Sequence, residues 1–343
     1  MGVTGEELPA FRRGLLAWYD KHRRDLPWRK SRDPYRIWIS EIMLQQTRVA
    51  AVLEHYRFFL KRFPNIRAVA AASESDVLAA WSGLGYYRRA RMLHQCARKI
   101  VSEHAGRFPR TSEQLGSLPG IGRYTAAAVA SIAFGEPAAV VDGNVERVLA
   151  RLVNRSVSVK DAWQGARQLL NVVRPGDHNQ AMMELGATIC LPRQPRCEIC
   201  PARKWCAAQG EIRGTPVSMK RGSPSKHRTV ETSASSSRQI KKEVWYALER
   251  RDSHVRLVRR PAGASVMAGM WELPRLPKVP RRITDATRWR TFRHSITVTD
   301  YTVNVSRHNA GRLQRGKWIA IADIPRLPIT GLTRKILKAD GII

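Results

Sequence analysis

The stretch LPGIGRYTAAAVASIAF, residues 118–134, decides how this chain is read. Two glycines stand one residue apart, a tyrosine follows, and an alanine-rich helix begins at once. Gly120 and Gly122 permit positive φ and let another backbone come close. The free N–H groups and dipole of a helix start favour an anion. The stretch therefore reads as a turn built to hold a phosphate group. A fainter echo, GLGYYRRA at 83–90, again leads Gly-x-Gly into a helix. It suggests two similar backbone turns on one binding face.

The charge says which phosphates to consider. Sixty Lys and Arg stand against 28 acids in 343 residues, a net charge of +32. A polyanion relieves that self-repulsion, with nucleic acid first and an anionic membrane surface second. No run of about 18 apolar residues marks a transmembrane helix. The start, MGVTGEELPAFRRGLLAW, has acids and no basic segment before its apolar run, so no signal peptide is expected. The expected setting is cytoplasmic and nucleoid-associated, where five cysteines do not form a disulfide framework.

Residues 8 to about 207 read as nearly continuous helices. DPYRIWISEIMLQQTRVAAVLEHYRFFLKRF (33–63) has an Asp-Pro start and helical apolar spacing throughout. Helices are also expected at 74–80, 89–104, from Tyr124, in GNVERVLARLV (143–153) and at 161–173. GTPVSMKRGSPSKHRTVETSASSS lacks apolar periodicity and reads as a flexible linker, 214–238. Beyond it VWYALER, VRLVRRP, SITVTDYTVNV and KWIAIAD alternate as strands, and TGLTRKILKA closes as a helix. The expected organisation is a mostly α domain at 1–213, the linker, and a smaller α+β domain at 239–343.

Cys190, Cys197, Cys200 and Cys206 stand as Cys-x6-Cys-x2-Cys-x5-Cys. Four thiolates packed this tightly mean a metal site, zinc or a [4Fe–4S] cluster, and spacing alone does not choose. Cys96, alone in a helix, reads as an inert buried thiol. Two acids stand out as well. Glu41 lies in the apolar segment RIWISEIMLQQT, where desolvation would raise its pKa as a general acid needs; a pair with Arg48 is the competing reading. Asp142 precedes a helix, where capping is the ordinary role of aspartate.

The Gly-x-Gly hairpin and cysteine spacing resemble the endonuclease III-like DNA glycosylases, with their helix–hairpin–helix and [4Fe–4S] cluster. More closely, RRDLPWR, WISEIMLQQT, GLGYYRRARMLH, LPGIGRYTA, VVDGNVERVLAR and NQAMMELGATIC resemble adenine DNA glycosylases of the MutY type across residues 18–206. The resemblance implies removal of adenine opposite 8-oxoguanine or guanine from double-stranded DNA, by a monomer carrying a [4Fe–4S] cluster in the loop 190–206. It makes Glu41 the acid that protonates adenine N7 and Asp142 the carboxylate that stabilises or attacks the oxocarbenium ion. Tyr124 and Asn144 support sugar and water. Arg24, Trp28, Leu44 and Gln180 line the adenine pocket. Gln46, Thr47, Leu84 and Tyr86 probe the lesion, and Gly120 and Gly122 hold a DNA phosphate. Endonuclease III relatives carry a lysine at the position of Tyr124 as the Schiff-base nucleophile. Tyrosine cannot form that imine, so an abasic site is the expected product. The alternative is an endonuclease III-type glycosylase/lyase acting on damaged pyrimidines.

GMWELPRLP (269–277) resembles the entry to a Nudix fold, but KVPRRITDATRWR (278–290) holds no glutamate for a metal helix. The resemblance therefore implies a Nudix-like domain kept for lesion recognition. Its family loop reads Phe-Ser-His; here TFRHSI (291–296) keeps Phe292 and His294 but carries Arg293 in place of the serine.

Overall fold

The computed structural model describes residues 3–208, 240–276, 288–296, 299–307 and 316–343. The expected linker and most of the glutamate-free stretch 278–290 lie outside them. By its contacts the chain forms two units: Met1–Ala70 with Gln95–Lys226, and Ala71–His94 with His227–Ile343. The segment carrying GLGYYRRA thus groups with C-terminal residues, which sequence position alone did not suggest.

The helices are α1 (Leu8–His22), α2 (Pro34–Leu44), α3 (Val49–Arg62), α4 (Ile66–Ala71), α5 (Glu74–Ala80), α6 (Arg88–Glu103), α7 (Ser112–Gly116), α8 (Arg123–Phe134), α9 (Gly143–Leu152), α10 (Val159–Leu169), α11 (Pro175–Thr188) and α12 (Gly331–Ala339). The apolar run 33–63 is two helices rather than one. Asp33 caps α2 by accepting from Tyr35 N, and the break comes where Gln46 takes a φ of +56°. No proline or glycine announces it. It leaves Gln46 exposed and Thr47 half-buried at a corner just beyond Glu41.

The core of the first unit joins α1, α9, α10 and α11. Phe11, Leu15, Tyr19, Val148, Leu152 and Leu185 are buried there. Trp205 meets Phe11 edge to face at 5.4 Å, and Cys190, Cys200 and Cys206 pack against the same cluster. Full burial of a Phe11-sized side chain is worth about 2–3 kcal/mol. The cysteine loop is thus anchored by the helical core.

The second unit's strands are β1 (Ile240–Ala247), β2 (Arg250–Arg251), β3 (His254–Arg259), β4 (Trp271–Glu272), β5 (Arg275–Leu276), β6 (Arg288–Ile296), β7 (Thr299–Ser306) and β8 (Lys317–Ala320). One sheet has the order β5-β1-β7-β6, with β1 and β7 parallel and the other pairs antiparallel. The other joins β2, β3 and β4, with β8 beside β3. SITVTDYTVNV, read as one strand, is divided between β6 and β7, which pair antiparallel. Leu332, Ile336 and Leu337 of α12 close the core against Val303 and Val305.

Candidate active site

The N-terminus of α8 brings Tyr124 to Glu41. The Tyr124 hydroxyl donates to Glu41 Oε2 at 2.8 Å and lies 3.3 Å from Met183 Sδ. Glu41 is buried at 6% exposure, and its partner is this tyrosine rather than Arg48. Burial pushes the Glu41 pKa up to about 7, the Asp142 charge adds to the rise, and the Tyr124 bond and Arg29 oppose it. Burial likewise raises Tyr124 well above the usual phenol range.

Asp142 fills the capping role and more. Its Oδ1 accepts from Asn144 N at 2.9 Å and Val145 N at 2.8 Å, and its Oδ2 accepts from Asn144 Nδ2 at 2.9 Å. Burial raises its pKa while the N–H groups of Val145 and Asn144 pull it back. The cap fixes the carboxylate's rotamer. Asn144 is held in turn. Arg147 Nη2 donates to Asn144 Oδ1 at 2.8 Å and to Gly186 O at 2.7 Å, and Arg147 Nε donates to Cys190 O at 2.8 Å. A Cβ on Gly186 would meet Asn144 Cβ at 2.6 Å, so α9 and α11 touch where only glycine fits.

Glu184, which sequence reading passed over, is the buried centre of a second cluster. Its side chain is fully enclosed. Arg24 Nε and Nη2 grip it at 2.8 and 2.7 Å, and Arg29 Nη2 donates at 2.8 Å. Burial alone would raise its pKa, but the two guanidiniums bring it down to about 2. An acid inside the apolar helical run AMMELGA carried the same signal that singled out Glu41. Trp28 is buried edge to face with Tyr56 at 5.4 Å, and Leu44 ends α2 half-buried. Gln180 lines a cleft with Arg23, Arg29, Arg32 and Arg174, whose described walls do not include Arg24, Trp28 or Leu44.

The hairpin turns differ from expectation. Gly120 takes a φ of +74°, which favours glycine, but Gly122 is extended at −85° and caps α8. Gly83, Gly85 and the non-glycine Tyr86 all take positive φ, so the two Gly-x-Gly turns are not copies. Leu84 is buried and Tyr86 is 54% exposed, so the turn presents the tyrosine. In β6, Phe292 packs in the core while its neighbour Arg293 is exposed and His294 half-buried, the alternation of a strand. The side chain of Phe292 is therefore withdrawn from the surface.

Cys190, Cys197, Cys200 and Cys206 line one pocket with Arg151 and Pro195. Arg151 Nη1 donates to Cys190 Sγ at 3.1 Å and to Leu191 O at 2.6 Å. Among the described residues no three His, Cys, Asp or Glu side chains converge closely enough for a single ion. No helix among them is long and apolar enough to cross a membrane.

Known proteins resemble this chain in sequence and fold. The chain is 47% identical over 233 residues to the adenine DNA glycosylase of Rattus norvegicus, covering 64% of this chain and 45% of the relative. It is 39% identical over 313 residues to that of Arabidopsis thaliana, covering 78% and 48%. The chain spans about half the length of the curated relatives it matches. Among solved structures, a thermostable thymine-DNA glycosylase superposes with a TM-score of 0.56 at 34% identity, covering 60% of this chain and 97% of that one. An endonuclease III–DNA complex shares the fold, with a TM-score of 0.53 at 24% identity over 61% and 97%. Residues 39–174, which carry Glu41, Tyr124 and Asp142, match the HhH-GPD superfamily base excision DNA repair protein family. On that match, and on the near-complete coverage of the 34%-identical structure, this chain belongs to the HhH-GPD superfamily of base excision DNA repair proteins.

Proposed function

We propose that this protein is a monofunctional DNA glycosylase that releases adenine mispaired with 8-oxoguanine or guanine and leaves an abasic site. The observation that carries the reading is the unlike pair of carboxyls, Glu41 and Asp142. A base leaves readily only when protonated, and the sugar becomes oxocarbenium-like as it goes. Glu41, with its pKa near 7, is about half protonated at neutral pH and delivers that proton to adenine N7. Asp142, bound by three N–H donors, keeps a carboxylate to face the developing positive charge. Tyr124 orients the Glu41 proton, and Asn144 steadies Asp142 and the attacking water. The target base must first leave the stack. The name of the 34%-identical structure gives thymine, whereas the names of the curated relatives, 47% and 39% identical, favour adenine.

The adenine pocket falls to Arg24, Trp28, Leu44 and Gln180. Glu184 supports this by binding Arg24 to α11 one turn from Gln180. The backbone N–H groups at Gly120 and Gly122 take a DNA phosphate and fix register without reading sequence. Gln46, Thr47 and Tyr86 meet the DNA near the lesion, and Arg293, on the exposed face of β6, meets the base opposite adenine. The C-terminal unit is Nudix-like and serves recognition.

The four cysteines fit a [4Fe–4S] cluster as a donor set: Cys190, Cys197, Cys200 and Cys206 line one pocket, and four thiolates are what such a cluster takes. Cys190, Cys197, Cys200 and Cys206 would hold the cluster, which when bound supplies a rigid cross-link of the loop 190–206. Arg151 would offset the thiolate charge at Cys190.

The test uses duplexes carrying A opposite 8-oxoguanine, A opposite G, or thymine glycol, with and without alkali after incubation. Alkali-dependent breaks in the adenine strand are the expected result. Breaks without alkali, or at thymine glycol, would assign the endonuclease III-type activity instead.

A further inference from the structure

The turn Gly83–Tyr87 holds a conformation that its own residues only partly favour. φ is +109° at Gly83, +68° at Gly85 and +46° at Tyr86. Glycine takes such values freely, but tyrosine there is strained. The Tyr86 ring is more than half exposed, so burial does not hold it in place. Strain of this kind persists only where the surroundings over-determine it.

Two restraints are local. Trp81 Nε1 donates to Gly85 O at 3.2 Å, and Arg89 Nη2 donates to Leu84 O at 3.1 Å. The others come from the far end of the chain. Ser82 Oγ donates to Ile329 O at 2.7 Å, and the Tyr87 hydroxyl donates to the same carbonyl at 3.3 Å. Residues on both sides of Tyr86 and its glycines are thus tied to one acceptor. Arg334 Nε, from α12, donates to Ser82 Oγ at 3.1 Å, so that hydroxyl is gripped twice.

The acceptor itself is fixed. Ile329 is fully buried and bridges in parallel to Trp271. Trp271 N donates to Pro328 O at 2.8 Å, Thr330 N donates to Trp271 O at 2.9 Å, and Thr330 caps α12. A carbonyl held on both flanks by backbone bonds cannot follow the turn; the turn must follow it.

We propose that Ile329 and Arg334 form a brace that sets the conformation of the Gly83–Tyr87 turn and so presents Tyr86 to DNA. Ser82, Tyr87 and Arg334 are then positioning residues for lesion probing, and residues 329–334 contribute to recognition without touching the base. The inference rests on the glycosylase reading above.

The full-length protein with its cluster is compared with Ser82→Ala and Tyr87→Phe, each of which removes one hydroxyl. The fluorescent base 2-aminopurine, set beside the 8-oxoguanine, brightens when a side chain wedges into the stack. Both variants should lose most of that brightening at saturating protein, in the same direction as Tyr86→Ala. Adenine release should slow about tenfold, the scale of one lost hydrogen bond. Iron content and far-ultraviolet circular dichroism should match the parent protein. Should Ser82→Ala fail to fold, Tyr87→Phe decides alone. Parent-like brightening and rate in a folded variant, with an active parent, overturn the brace. A parent that releases no adenine from any duplex overturns the glycosylase reading instead.

Discussion

Arg147 and Asn144 are one turn apart on α9, and the Arg147 guanidinium donates to the Asn144 side-chain oxygen at 2.8 Å while its Nε reaches the Cys190 carbonyl. One buried side chain therefore spans from the first cysteine to the residue that steadies Asp142. Glutamine at position 147 is too short to make both bonds. Arg147→Gln should lower single-turnover adenine release at least about tenfold, the scale of one or two lost buried hydrogen bonds. Duplex affinity should stay near that of the parent. Equal losses in rate and affinity would count against a positioning role.

Gly186→Ala tests the same geometry from the other helix. The added methyl would lie 2.6 Å from Asn144 Cβ and 2.9 Å from Asn144 O, so the backbone must move. Overpacking of this sort costs about 1–3 kcal/mol. Denaturant titration should show that loss, and base release should fall with it. Unchanged stability would mean that α9 and α11 separate easily.

Glu41→Gln should abolish adenine release yet stabilise the protein at neutral and alkaline pH. The carboxyl titrates near 4.5 when unfolded and near 7 when folded. Its contribution to stability is full below the unfolded value and is lost as pH rises to about 7. The loss is on the order of 3 kcal/mol. The variant's advantage should therefore grow between pH 4.5 and 7 and then level off. Parent activity should fall above about pH 7 as Glu41 loses its proton. A pH-independent difference in melting temperature, or a parent rate that climbs through pH 8, would contradict the assignment.

Glu184 behaves in the opposite sense. Its folded pKa of about 2 means that its contribution is present above 4.5 and is lost as pH falls toward 2. Glu184→Ala leaves Arg29 buried without its partner and should cost about 3–5 kcal/mol at pH 7. The gap from the parent should narrow in acid. Chemical denaturation at pH 7 and at pH 3 measures both.

The purified protein should be brown, with broad visible absorption and about four irons per chain, as a cubane on four thiolates requires. Cys200→Ser should bleach it and loosen the loop around Trp205. A colourless protein holding one zinc would contradict the cluster.

The sequence by itself determined the helical class of the first unit, its turn at Gly120, the cysteine spacing, the acid at Glu41 inside an apolar run and the helix cap at Asp142. These are local properties: apolar period, turn chemistry, and an acid in an apolar run. It did not determine the break at Gln46, because a left-handed residue without glycine leaves no compositional mark. It merged β6 and β7, because strand alternation runs through a hairpin without a change of period. Glu184, Arg147 and Gly186 matter through partners 39 to 160 residues away, and only tertiary structure decides such pairings. The grouping of Ala71–His94 with the C-terminal residues is of the same kind. Ser82 and Ile329 are 247 positions apart, and nothing in either one's neighbourhood names the other. Chemistry-bearing residue types are written locally, but their orientation is set by buried hydrogen bonds between distant segments, which exist only once the core has formed.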